Sequence, residues 1–309
     1  MFEHIPVMLN EAIDNLKIKE DGIYVDCTVG GAGHSIEIVK RLKSGRLIAI
    51  DQDEKAINAA KDRLKDYDNV TFVKENFSNL NKILEDLGVE KVDGILMDIG
   101  VSSYQFDTGE RGFSYKYDSR LDMRMDRDLN LTAYDIVNEY SSEELQNIFW
   151  KYGEEKWGKR IAEFIEAARK NKRVETTFEL VEIIKKAIPK KARQDKGHPA
   201  KRVFQALRIE VNKELEVLED TIYQSVDLLN SGGRLVIITF HSLEDRIVKN
   251  AYRDLATDCI CPSDFPVCVC NHRRKVKMIK KHILPSQEEI NRNKRAHSAK
   301  MRVAERVEK

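Results

Sequence analysis

Residues 24–34 read Tyr-Val-Asp-Cys-Thr-Val-Gly-Gly-Ala-Gly-His. This stretch constrains the fold more than any other. A short apolar strand, Gly22 to Val25, runs into a turn built almost wholly of small residues. An amphipathic helix follows, with Ile36, Val39 and Leu42 on its inner side. Strand, small-residue turn and helix in that order form a nucleotide-binding corner. Glycine permits backbone angles that a Cβ forbids and lets the main chain lie against a ligand.

The dinucleotide signature G-x-G-x-x-G is incomplete. Gly31 and Gly33 supply the first two glycines, and Ile36 stands at the third. The third glycine serves tight helix–strand packing beside a pyrophosphate, so its absence disfavours NAD or FAD. A nucleoside without a pyrophosphate, such as S-adenosylmethionine, needs only the backbone approach. The second strand, Arg46 to Ile50, ends in Asp51. An acid about 20 residues past the turn is placed to accept from ribose hydroxyls. The plainer reading of Asp51 is a solvated acid capping the next helix, Lys55 to Leu64.

Strand and helix patterns continue to alternate. Val70–Val73 is a third strand, followed by Glu75-Asn76-Phe77, and Asn79–Leu87 is helical. Val92–Met97 is a fourth strand ending in Asp98. Such repetition predicts an α/β fold with a mostly parallel, doubly wound sheet, whose ligands sit beyond the carboxyl ends of the strands. The Gly30 turn, Asp51, Phe77 and Asp98 should therefore share one crevice. Phe77 lies against an adenine ring or belongs to the core. Asp98 holds a reacting group or the amino end of a cofactor.

The alternation stops at Gln105. A polar, aromatic, turn-rich stretch reaches Asp126, and helical patterns follow at Thr132–Glu139, Ser142–Tyr152, Lys156–Lys170 and Thr177–Ile188. Pro199 suits the first turn of a long helix running, with or without a break, to Asn230. Ser231-Gly232-Gly233 stops that helix, and Arg234–Phe240 is the most strand-like run in the chain. The resulting division is residues 1–105 and 199–309 as the two parts of a sheet domain, with 106–198 as a helical insertion. His241, at the end of the last strand, is either a proton-handling group or a helix-start residue with Ser242 as the cap.

The chain has 309 residues and a net charge of +1. From Arg273 onward, however, 13 basic residues face 4 acidic ones, which suits contact with a phosphate backbone. A solvated helix face is the bland alternative. No run approaches the roughly 18 apolar residues of a membrane span, and the N-terminus has no secretory pattern. A cytoplasmic location with reduced cysteines is expected. Cys259-x-Cys261 and Cys268-x-Cys270 could bind zinc, although the common spacing is C-x-x-C; free thiols or an adventitious disulfide are the alternatives, and no metal ligand is assigned.

Several long motifs, in order, resemble the bacterial cytosine-N4 methyltransferases of 16S ribosomal RNA. They are His4-Ile5-Pro6-Val7, Asp26-x-Thr28-x-Gly30-x-x-Gly33-His34, Asp98-Ile99-Gly100-Val101-Ser102-Ser103-x-Gln105, Arg111-Gly112-Phe113-Ser114 and Leu121-Asp122-Met123-Arg124-Met125. The series continues with His198-Pro199-Ala200 through Gln205-Ala206-Leu207-Arg208-Ile209 and with Phe240-His241-Ser242-Leu243-Glu244-Asp245-Arg246. The resemblance implies a class I (Rossmann-like) S-adenosylmethionine-dependent methyltransferase sheet with an inserted helical, substrate-recognising domain. It implies methylation of one cytidine amine in the decoding centre of the small ribosomal subunit. Implied cofactor contacts are Ala32, Gly33, His34, Asp51, Phe77, Asp98 and Gln105, the last from the resemblance alone. The Pro-Pro loop of many amino-group methyltransferases is missing after Asp98.

Within that frame Asp98 is the first candidate for holding the amine and His241 the second. Phe106, Phe113 or Tyr115 would cover the base, while Lys201, Arg202 and the basic C-terminal tail hold phosphates. The assembly state is left open, a homodimer included. The rival readings are a nicotinamide oxidoreductase, against which Ile36 speaks, and a non-catalytic RNA-binding protein, which leaves the glycine turn and both acids unused.

Overall fold

The structure is a computed structural model that describes residues 6–100, 109–193, 197–262, 265–270 and 272–308. Contacts divide the chain into two compact units, Met1–Gly100 with Leu215–Lys309, and Val101–Glu214.

The first unit is built on a seven-stranded sheet: β1 (Ile23–Asp26), β2 (Arg46–Asp51), β3 (Val70–Lys74), β4 (Val92–Asp98), β5 (Leu229–Thr239), β6 (Val276–Ile283) and β7 (Lys300–Arg306). Their order is β3-β2-β1-β4-β5-β7-β6. The first five run parallel, and β7 is antiparallel to both its neighbours. The expected doubly wound α/β sheet is thus present. Strand order reverses between β1 and β4, and a ligand crevice in such a sheet opens at that point.

Both sheet faces are covered, so the central strands are apolar throughout. Ile95 and Met97 of β4, with Leu235 and Ile237 of β5, join one core; Leu96, Val236 and Ile238 join the other. That alternation follows from the two-residue period of a strand. Helices α1 (Leu9–Leu16), α2 (Gly33–Val39) and α3 (Glu54–Arg63) cover the second core with Ile13, Leu16, Ile38 and Ile57. Helices α4 (Leu80–Asp86), α10 (Glu214–Leu228) and α11 (Ser242–Leu255) cover the first with Leu84, Leu218, Ile222 and Tyr252. Each such buried aliphatic side chain contributes about 1.5–3 kcal/mol.

Two expectations need correction. Ser231-Gly232-Gly233 does not end a helix. The helix ends at Leu228 and these residues lie within β5, at an irregularity in its pairing with β4. The basic C-terminal segment is not a tail. It supplies β6 and β7, and several of its cations are paired within the fold: Arg302 with Asp245 at 2.7 Å, Lys277 with Glu305, and Lys275 with Asp227 at 2.8 Å.

The second unit contains α5 (Ala133–Glu139), α6 (Ser142–Lys151), α7 (Gly158–Arg169), α8 (Thr177–Ala187) and α9 (Lys201–Asn212). Helix α7 packs between α6 and α8, and α9 packs on α5 and α6. Three of these helices start with reciprocal caps, Thr132 with Asp135, Ser141 with Glu144, and Thr176 with Glu179. Each pair satisfies two otherwise orphaned amides. Helix α9 belongs to this unit, so the contact boundary falls after Glu214 and not at 198. Of the two alternatives for the long helix, the broken one is found: Lys213, with φ of +51°, separates α9 from α10.

Candidate active site

The glycine turn is fixed from three sides. From β1, Asp26 accepts the Thr28 amide at 3.1 Å and the Ser35 hydroxyl at 2.6 Å, tying the turn to the first helical turn of α2. From β2, Asp51 Oδ2 accepts the Gly30 amide at 3.0 Å, and Oδ1 accepts the Asp53 amide at 2.9 Å. From β4, the Asp98 amide donates to Thr28 Oγ1 at 2.7 Å. Gly30 and Ala32 adopt φ of +47° and +57°. Left-handed backbone is unusual for alanine, and here three neighbouring strands over-determine it.

Gly33 has a different use from the one its motif suggests. A Cβ there would stand 2.1 Å from Pro6 Cγ, so its missing side chain makes room for the N-terminal lead. His34 is buried beside it. Its Nε2 lies 3.1 Å from the Val7 carbonyl, and its Nδ1 lies 3.8 Å from Asp98 Oδ2. The imidazole therefore bridges the N-terminal lead and the end of β4.

Asp98 is the most exceptional group of the site. Its Oδ1 is buried and, among the described residues, has no hydrogen-bond partner. Burial, with the charges of Asp26 and Glu244 nearby, pushes its carboxyl up to about 8. Burial also pushes Asp51 up to about 7, against the amides of Asp53 and Gly30, which pull it down. Burial raises Asp26 as well, while Ser35 and Thr28 oppose the rise. Glu244 is fully buried and accepts the amides of Phe240 at 2.8 Å and His241 at 3.2 Å. Four carboxyl groups thus cluster at the carboxyl ends of β1, β2 and β4 and just past β5. Such desolvated acids are the electrostatic complement of a cation.

Phe77 follows β3 in a single 3₁₀ turn and is half-buried against the core beneath it. Beside it, Asn76 donates to Gln52 Oε1 at 2.8 Å and accepts the Ser78 amide at 2.9 Å, so amide side chains from the β2 and β3 loops meet. His241 is the helix-start residue of α11. Its Nδ1 accepts the Glu244 amide at 3.4 Å, and its Nε2 lies 2.8 Å from Glu244 Oε1. His241 itself is the cap, not Ser242. Gln105, Phe106 and His4 lie outside the described residues.

In the helical unit, Phe113 is buried, with the Arg111 guanidinium 5.8 Å from its ring centre. Arg111, itself buried, donates to the carbonyls of Arg124 and Met125. These motif residues hold their own loop together. Tyr115 is only partly buried and stacks on His198 with centroids 4.2 Å apart and planes 3° from parallel. Lys201 is exposed at the start of α9, and Arg202 donates to the Glu154 carbonyl at 2.8 Å.

Reading the sequence assigned no role to Asp26, Gln52, Asn76 or Glu244. Glu244 had a detectable signal, an acid three residues past His241 in the capping-box pattern. The other three are visible only once the loops are folded together.

A family model described as the MraW methylase family matches residues 1–307. The chain belongs to that family. Ribosomal RNA small subunit methyltransferase H of Finegoldia magna is 60% identical over 309 residues, covering 99% of each protein. The proteins of that name from Clostridioides difficile and Clostridium botulinum are 58% identical, also over 99% of each. A solved rRNA methylase from Streptococcus thermophilus aligns with 100% of this chain and 99% of its own at 12% identity and a TM-score of 0.45. The sheet of this family member is the class I methyltransferase sheet that the resemblance implied.

Proposed function

We propose that this MraW methylase transfers the methyl group of S-adenosylmethionine to the exocyclic N4 amine of a single cytidine in the decoding centre of 16S ribosomal RNA. The observation that carries the reading is Asp98: a buried carboxylate oxygen with no partner among the described residues, at the switch point of the sheet, beside a glycine turn pinned by Asp51. A buried acceptor left unpaired is expensive, and a donor or cation from a ligand would satisfy it. The relatives named ribosomal RNA small subunit methyltransferase H support the choice of substrate.

The cofactor fits the donor set. Its ammonium and sulfonium are cations, matched by the acids of the rim. Its ribose hydroxyls suit Asp51, whose carboxylate has lone pairs left after accepting two amides. Ala32, Gly33 and His34 would offer the turn, Phe77 a surface for the adenine, and Gln105 a further contact. When bound, the cofactor supplies an electrophilic methyl group.

Cytosine N4 is a weak nucleophile because its lone pair is delocalised into the ring. The protein must therefore orient the amine, and positioning of that kind supplies much of the acceleration in such reactions. We assign the orienting contact to Asp98, which accepts one N4 hydrogen. Asp98 would orient N4, and it or water would take the displaced N4 proton, while the carbon–sulfur bonding pair stays on the sulfur of the bound cofactor that supplies the methyl carbon. His241 serves as the second candidate, acting through Glu244, which it holds at the start of α11. The base must leave any stack to react. Tyr115 and, at the start of α9, Lys201 and Arg202 are the proposed RNA contacts, with Phe113 shaping the loop that carries Tyr115.

The proposed partner is 16S rRNA within the small ribosomal subunit, and the proposed location is the cytoplasm. Among the described residues no helix is long and apolar enough to cross a membrane. Sedimentation of the purified chain tests for a homodimer. Mass spectrometry of 16S rRNA from cells with and without the protein tests the activity. Loss of one N4-methylcytidine, restored by the wild-type chain and not by Asp98→Ala, is expected. An unchanged methylation pattern would overturn the substrate.

A further inference from the structure

The loop between α11 and β6 collects four thiols that the methyl-transfer reading leaves unused. Cys259 and Cys261 follow α11, and Cys268 and Cys270 precede β6. All four sulfurs lie within 4.8 Å of one another. Cys259 Sγ is 3.5 Å from Cys268 Sγ and 3.8 Å from Cys270 Sγ, and Cys268 and Cys270 are 3.5 Å apart. We propose that Cys259, Cys261, Cys268 and Cys270 form a tetrahedral tetrathiolate site for zinc.

The distances carry the argument. Sulfurs bound about 2.3 Å from a central zinc stand about 3.8 Å apart along the edges of the tetrahedron. The three separations above match that edge. Two disulfides would instead set two pairs near 2.05 Å and leave the other pairs unrelated. Backbone amides also turn toward the sulfurs. Val269 N donates to Cys261 Sγ and His272 N to Cys270 Sγ, each at 3.4 Å. Such bonds stabilise thiolates, the form that binds metal.

The rest of the loop shows why an ion is needed. Its base is closed by the Lys275 amide on the Leu255 carbonyl at 2.7 Å. Above that base Ile260, Val267 and Val269 are 60%, 70% and 67% exposed, and Phe265 is 49% exposed. Among its described residues the loop therefore has no apolar core of its own. A segment this long without secondary structure is ordered by something else or not at all, and a structural zinc supplies that order directly. The C-x-C spacing does not prevent this, because both pairs bring their sulfurs to the common centre.

Zinc stoichiometry tests the proposal. The full chain is expressed with added zinc, purified without chelators under reducing conditions, and analysed for metal. One equivalent of zinc per chain is expected, falling at least tenfold in Cys261→Ala/Cys268→Ala. Circular dichroism of the double variant should match wild type, because the site lies outside both cores. Cobalt replacing the zinc should give an intense thiolate-to-metal charge-transfer band, lost in the variant. In the metal-loaded protein the four loop thiols should resist a thiol reagent until chelator is added. Absence of stoichiometric metal, immediate reaction of all four thiols in the zinc-replete protein, or a disulfide found in the reduced preparation would each overturn the assignment.

Discussion

Replacing Asp98 by asparagine should abolish methyl transfer and at the same time stabilise the folded chain. Asp98 titrates from an ordinary 3.8 in the unfolded chain to about 8 in the folded one. An acid raised in this way binds its proton more tightly when folded, so the fold loses stability as pH climbs from 3.8 to about 8, and nothing further above that. At pH 7 the ceiling on this loss is about 4 kcal/mol. The side chain is 22% exposed, and water reaching it reduces the figure to about 2 kcal/mol. Asparagine keeps the shape and removes the charge. Asp98→Asn should therefore match wild type near pH 4 and gain about 2 kcal/mol at pH 8, or about 4–8 °C in midpoint. Thermal unfolding followed by circular dichroism between pH 4 and pH 8.5 reads the difference. A difference that does not change with pH, or a wild type more stable than the variant at pH 8, would refute the reasoning. The expected pattern is that of a site that sacrifices stability for function.

Three other outcomes follow from the geometry. Asp51→Ala removes the acceptor of the Gly30 amide and the proposed ribose contact, so cofactor affinity measured by calorimetry should fall at least tenfold while the sheet stays folded. Affinity for the cationic cofactor should rise with pH between about 6 and 8 in wild type, because Asp98 and Asp51 must release protons to meet it; this rise should be blunted in Asp98→Asn. Gly112→Ala should destabilise the helical unit by about 2–3 kcal/mol in denaturant unfolding, since Gly112 has φ of +72° and its Cβ would lie 2.4 Å from the Arg120 carbonyl oxygen.

The parts of the fold legible in the sequence were those that bury both faces of an element. The central strands read clearly because every residue from Ile95 to Met97 and from Leu235 to Ile238 is buried. Their carboxyl ends followed, and with them the positions of Asp51 and Asp98. β6 was hidden by its lysines. Its side chains are mostly exposed, and an edge strand is kept polar to discourage pairing with other chains. β7 was hidden because buried Arg302 and Arg306 interrupt its apolar pattern, an interruption that Asp245 and Asp227 compensate from other elements. In the site, the contact of Pro6 with Gly33 and the grip of Asp51 on Gly30 depend on loops far apart in sequence. No local pattern encodes them. The cap of α11 falls at His241, one residue before the expected Ser242, because the decisive partner is Glu244, the acid three positions onward.

β7, the last strand in chain order, completes the sheet from the inside, between β5 and β6. Until it is made and threaded, β5 offers a raw apolar border and β6 has no neighbour. A ribosome emitting this chain releases β7 after both of the strands it joins, and the half-closed sheet is open to capture by other strands throughout that interval. Removal of Lys300–Arg306 should therefore be felt at β5 as well as at the rim strand β6.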